Sequence, residues 1–173
     1  DTSMALCLAE SLINKGGFDA NDQMGRYLNW WQWGYLSSTG ECFDIGATVR
    51  QALMQYQQTG NPFAGSTDPQ TAGNGSLMRL APVPLFYYPD IAQVIKFSAE
   101  SSRTTHAAPE AIECCQLFGE ILANALQGKP KASLLHIEGS ILNEPKVADI
   151  AKGQYLGKSR AEIFGTGYSV ACL

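Results

Sequence analysis

Apolar residues recur at helical spacing from the start of the chain. Met4, Leu8, Ala9 and Leu12 fall on one face, and Gly16-Gly17 end the run. A second stripe passes through Met24, Tyr27, Leu28 and Trp31 within residues 22–33. After the turn SSTGE the pattern resumes and predicts a helix over Cys42 to Tyr56. Gly, Pro, Asn, Ser and Asp dominate residues 60–75, which read as loop. The apolar run from Ser76 to Tyr88 fits a short buried helix or a strand, although Pro82 and Pro84 speak against a central strand. Asp90 is a good N-cap for a helix over Ile91 to Ser101. Pro109 suits a first helical turn, and Glu110 beside it favours the positive helix end. From there Ile112, Cys115, Gly119, Leu122 and Leu126 make a stripe that Gly128 ends. Ala132 to Ile141 and Pro145 to Lys152 are two more short helical candidates. No segment alternates with a clean period of two, and no internal repeat occurs. The pattern predicts a single all-α domain over residues 1–173, with long loops at 57–75 and 153–167.

Composition narrows the function. At 173 residues the chain can build one substantial core. The net charge of −4 and the scattered basic residues exclude a nucleic-acid backbone binder, which needs clustered Lys and Arg. A small anion held by backbone donors stays open. No apolar run reaches the length of a membrane span, and the opening DTSMALCLAESL has no signal-peptide pattern. Five cysteines, with no CxxC, read as reduced and mostly buried thiols of a cytoplasmic protein. Both ends look cut, as if the chain were a piece of a longer protein.

Five short stretches carry candidate chemistry. The loop Gly73-Asn74-Gly75-Ser76 precedes an apolar run. It lacks the GxxxxGK[ST] of a P-loop, and Met78 stands where a dinucleotide fingerprint needs its third Gly, so it is either a structural turn or a novel donor-rich loop. His106, in Thr104-Thr105-His106 ahead of the Pro109 helix, could donate to a phosphate or ribose oxygen, or could simply cap. Asp44, between Phe43 and Ile45, invites desolvation, which suits proton transfer; the alternative is an N-cap for a helix starting near Gly46. Asp1-Thr2 could supply oxygen ligands to a hard cation such as Mg²⁺, or form a capping pair. Gly165-Thr166-Gly167-Tyr168 is a second flexible turn whose Tyr could stack on a base. Trp30, Trp31 and Trp33 read as core rather than as a stacking platform, and His136 receives no role.

In this order, DTSMALCLAESL, GYLSSTGECFDIG, GNGSLMRLAP, SSRTTHAAPE and GTGYSV resemble the ADP-ribosylglycohydrolase family over nearly the whole chain. The resemblance implies a compact, orthogonal all-α fold, seen here as an incomplete domain truncated at both ends. It implies hydrolysis of the C1″ glycosidic bond of ADP-ribose attached to a protein side chain or related acceptor, with a pair of Mg²⁺ ions (Mn²⁺ in some members). Asp1 and Thr2 match the tail of a Thr-Asp-Asp-Thr metal motif, and Asp44 matches an acidic residue near the scissile ribose. Gly73, Asn74, Gly75 and Ser76 match a loop around the diphosphate and ribose; Met78 and Arg79 complete that motif, Arg79 as a structural residue. His106 matches a His facing the phosphates, and Gly165, Gly167 and Tyr168 match a loop beside the adenosine half.

The sequence also departs from that pattern. The first Asp of the metal motif and the later Asp-x-Asp-Thr/Ser motif are not in this chain. The implied reading is a hydrolase acting on ADP-ribosylated protein. Its alternatives are a module that binds ADP-ribose without cleaving it, and a non-functional fragment. The linkage cleaved and the oligomeric state are not legible.

Overall fold

The computed structural model describes residues 1–137 and 142–173, and among these it is helical with no strand. Helix α1 (Thr2–Lys15) ends where Gly16 takes a left-handed φ of 65°. Helix α2 (Ala20–Trp33) starts ahead of its apolar stripe, because the Asp19 carboxylate accepts from the Asp22 backbone N–H and caps it. Its end at Gly34 admits only glycine: φ is 67°, and a Cβ would lie 2.0 Å from the Gly40 carbonyl oxygen. Helix α3 (Ala47–Thr59) begins at Ala47 rather than at Cys42. The intervening residues cannot join it, because Asp44 holds a left-handed φ of 55°.

The apolar run that fitted helix or strand is two short helices, α4 (Gly75–Met78) and α5 (Pro82–Tyr87), with Pro82 in the first turn of α5 where its missing N–H is harmless. Helix α6 (Ile91–Arg103) is capped by Asp90, which accepts from Gln93 N–H at 3.1 Å. Helix α7 (Pro109–Leu126) is the longest. Helix α8 (Lys131–Leu134) is shorter than the stretch predicted over Ala132 to Ile141, of which residues 138–141 lie outside the described residues. Helix α9 (Pro145–Ala151) follows as predicted. The predicted loop 153–167 contains two tight helical turns, at Gln154–Gly157 and Arg160–Glu162, and helix α10 (Ser169–Cys172) closes the chain.

Two buried clusters share α1. Leu8 and Leu12 pack with Leu77, Leu80 and Val83 and with Leu117 of α7. Met4 and Cys7, nearer the start of α1, pack with Met24, Tyr27 and Trp30 of α2 and with Val49 and Leu53 of α3. Helices α6 and α7 run against each other at Gly119, where a Cβ would come within 2.3 Å of Ser98 Oγ. The tryptophan expectation needs one correction. Trp30 is core and Trp31 packs against it half-buried, but Trp33, the last residue of α2, is 76% exposed. All five cysteines are free thiols; Cys7, Cys114 and Cys115 are buried, Cys42 is half-buried and Cys172 is exposed. No described helix is long and apolar enough to cross a membrane.

Candidate functional site

The first turns of α1 and α3 open onto a common cavity of about 250 Å³. Asp1 and Met4 come from α1 and its cap, Gly46, Thr48 and Val49 from the start of α3, and Asp44 from the turn before it. The opposite wall is Gly73, Asn74 and Gly75, with Met78 and His106. Trp30 of α2 completes the lining, so residues from five distant parts of the sequence meet in one place. Helices α1 and α3 present the positive ends of their dipoles there. Among the described residues no lysine or arginine lines the cavity.

Both acidic residues are freed from the capping roles that the sequence left open. Asp1 sits at the N-cap of α1, but its side chain makes no cap hydrogen bond. Gly46, not Asp44, is the N-cap of α3. Asp44 is also exposed rather than desolvated between its apolar neighbours, and Phe43 is 54% exposed. The expected desolvation is thus not what distinguishes Asp44. Its left-handed backbone is: the φ of 55° lies in a region costly for most residues and tolerable for Asp.

His106 is 2% exposed and lies against the glycine loop. Its Nε2 would be 3.5 Å from a Cβ on Gly73 and 3.2 Å from one on Gly75, so the glycines admit the ring as well as any ligand. Nδ1 pairs with the Thr105 hydroxyl at 2.8 Å. Burial, and secondarily the Arg79 guanidinium, push the imidazole down from its ordinary 6.5 to about 3, so it is uncharged at neutral pH. The turn that carries it is fixed by Gly65. The Gly65 N–H donates to Arg103 O at 3.2 Å, the Ala107 N–H donates to Ser66 O at 3.0 Å, and Ser66 bridges to His106.

The other residues singled out in the sequence are placed differently. Ser76 is buried, and its hydroxyl pairs with Ser102 Oγ at 2.9 Å and accepts from Cys115 Sγ, so its side chain faces the core. Thr2 is exposed and does not line the cavity. Gly165, Gly167 and Tyr168 lie outside the cavity as well. Their segment braces the glycine loop instead. The Asn74 N–H donates to Gly167 O at 2.9 Å, and Ser169 Oγ donates to Gly73 O at 2.7 Å. Tyr168 donates to Glu110 at 2.5 Å, accepts from Lys146 Nζ at 3.0 Å and lines a second cavity of about 530 Å³.

The wall residues Met4, Trp30, Thr48 and Val49 were not anticipated as site residues. Met4 and Trp30 were legible as core, and their reach into a cavity depends on how α1, α2 and α3 pack together. Thr48, in the first turn after the Asp44 segment, was the one with a usable local signal.

The described residues do not complete a metal site. No group of three His, Cys, Asp or Glu side chains converges among them. Mg²⁺ takes about six oxygens in near-octahedral geometry. Asp1 and Asp44 share the cavity but fall short of one such shell, let alone two.

The helical scaffold thus gathers two carboxylates, a glycine loop and a buried imidazole around one cavity. The sequence matches the ADP-ribosylglycohydrolase family across residues 1–173. The chain belongs to that family. It is 39% identical over its whole length to ADP-ribosylarginine hydrolase Tri1 of Serratia proteamaculans (strain 568) and 40% identical to that of Pseudomonas putida (strain GB-1). It is 26% identical, over 98% of its length, to the ADP-ribosyl-[dinitrogen reductase] glycohydrolase of Rhodospirillum rubrum. The chain spans about half the length of these relatives: 47%, 46% and 54%. In structure it resembles a chain of an ADP-ribosylglycohydrolase-related protein complex, with a TM-score of 0.79 at 39% identity, covering 98% of this chain and 54% of that one.

Proposed function

We propose that the full-length protein removes ADP-ribose from ADP-ribosylated arginine side chains by hydrolysis of the C1″ bond. The observation that carries this reading is the single cavity shared by Asp1, Asp44, the Gly73–Gly75 loop and His106. The arginine linkage rests on the two relatives at 39% and 40% identity, which carry that name.

The chemistry follows from the wall. Water adds to C1″, the bond to the guanidino nitrogen breaks, and that nitrogen leaves with a proton. Asp44 is the carboxylate that takes the proton of the water or holds the ribose hydroxyls in position. A Thr105 hydroxyl that donates to Nδ1 leaves the ring proton of His106 on Nε2, where it can donate to a phosphate oxygen. An uncharged donor suits this place because proton uptake does not switch it near neutral pH. The positive ends of α1 and α3 add to the attraction for a diphosphate. Gly73 and Gly75 let backbone and ring approach the ligand together. In the longer protein, Asp1 with the adjacent Thr2 is this chain's share of a Mg²⁺ or Mn²⁺ shell, and further carboxylates would have to come from elsewhere.

A second reading is a module that holds ADP-ribose in the same cavity without cleaving it. One experiment separates the two. The full-length protein is mixed with an ADP-ribosylarginine substrate, and free ADP-ribose is followed by chromatography beside calorimetric binding. Release supports the hydrolase, binding without release supports the module, and neither outcome sinks both.

A further inference from the structure

We infer that Arg79 is the positioning residue of this site: from behind the cavity wall it locks the His106 turn to the glycine loop and supplies the positive charge that the wall itself lacks. This rests on the reading of the cavity as an ADP-ribose site and deepens it.

Arg79 directly follows α4, the short helix whose other end, Gly75, faces the cavity. Its side chain is fully buried. Nη2 donates to Ser101 O at 3.0 Å and to Thr104 Oγ1 at 3.3 Å, and the guanidinium lies over the Tyr27 ring, 4.8 Å from its centre. Gln23 of α2 donates to the same Ser101 and Thr104 oxygens. Those two acceptors begin the turn that ends at His106, where the His106 N–H donates to Ser102 O at 2.7 Å and Ser102 Oγ donates to His106 O at 2.8 Å. One side chain thus spans the two halves of the wall.

Its charge is not used up by a partner. Among the described residues no carboxylate pairs with Arg79, and its Nε and Nη1 have no acceptor. A buried, unpaired cation is unfavourable, and an apolar side chain of similar volume would be better for stability alone. Packing therefore does not account for it, whereas a buried positive charge beside an anion site does. In a low-dielectric surrounding its field reaches further than a surface lysine's would. The same field helps to keep His106 uncharged.

The test uses the full-length protein and its Arg79→Lys and Arg79→Met variants. ADP-ribose affinity is measured by calorimetry, and the His106 ring is titrated by NMR. Arg79→Met should lose at least about tenfold in affinity, and its His106 titration should move up toward the ordinary range. Arg79→Lys should keep the low titration, since the charge stays, while losing several-fold in affinity, since the two-acceptor geometry goes. A folded Arg79→Met with wild-type affinity or an unmoved His106 titration overturns the inference. If Arg79→Met does not fold, Thr104→Val removes one acceptor and leaves the cation: a several-fold loss restored by Thr104→Ser supports the role, and unchanged affinity overturns it. A wild-type protein that binds no ADP-ribose overturns the site reading, and with it the ligand-binding part of this inference; the His106 titration then decides the coupling alone.

Discussion

A Cβ on Gly75 would stand 3.0 Å from His106 Cε1 and 3.2 Å from its Nε2. Real Cβ contacts are rarely that tight, so even alanine pushes the ring by a few tenths of an ångström. Valine adds two methyl groups to the same gap. Gly75→Val is expected to weaken ADP-ribose binding to the full-length protein by at least about tenfold, roughly 1.4 kcal/mol. Calorimetry on a folded variant checks this, and unchanged affinity would remove the glycine loop from the binding site.

Asp44→Asn is expected to lower turnover of an ADP-ribosylarginine substrate by about 10²–10⁴-fold while ADP-ribose affinity changes little. Asparagine is the informative choice because it tolerates the left-handed φ of 55° as Asp does, so the charge is lost and the backbone kept. Alanine would confound the two. Near-normal kcat in Asp44→Asn would leave Asp44 as a turn residue only.

Helix existence was legible because capping residues and apolar spacing are local: Asp90, Gly16 and Gly128 all mark ends where the chain turns. The start of α3 was legible only in the alternative that began a helix near Gly46; apolar spacing ran it back to Cys42, because the left-handed turn at Asp44 has no signal there. At the site, the ordered motifs picked out Asp1, Asp44, Gly73 to Gly75, Met78 and His106, which share the cavity. They also picked out Ser76 and the Gly165–Tyr168 turn, whose direction depends on tertiary packing. Ser76 turns inward to Ser102, and the turn supports the glycine loop from outside through Gly167 O. Arg79, expected to be structural, is buried, and its contacts to Ser101 and Thr104 join segments that sequence spacing alone does not connect.

Gly65 carries a prediction about stability. A Cβ there would lie 2.7 Å from Arg103 O, 2.7 Å from the His106 nitrogen and 2.8 Å from that of Ala107. All three are backbone atoms, so no side chain can swing away. Gly65→Ala is expected to destabilise by about 1–3 kcal/mol, the usual range for forced overpacking. Gly157→Ala is the control, since a Cβ there meets nothing within 4 Å. Urea unfolding of both variants decides it, and equal stability would show that the bridge between Ser66 and His106 is not close-packed.

Stability should depend on pH through His106. In the unfolded chain its imidazole has the ordinary value of 6.5, and in the folded protein burial and Arg79 bring it to about 3. Between those values the unfolded chain binds a proton that the folded chain refuses, so protonation favours unfolding. The contribution is fully present above pH 6.5 and is lost progressively as pH falls toward about 3, by up to about 1.4 kcal/mol per pH unit. Carboxylates titrate in part of the same range, so wild type alone is not diagnostic. His106→Gln removes the imidazole and keeps a polar side chain, and effects of the carboxylates largely cancel in the difference between the two proteins. The unfolding free energy of wild type minus that of His106→Gln should therefore fall steadily as pH is lowered from about 7 to about 4.5. Chemical denaturation at a series of pH values measures it. A difference that stays flat over that range would mean that the folded protein protonates His106 as readily as the unfolded chain does, and the neutral imidazole assigned to the cavity wall would have to be given up.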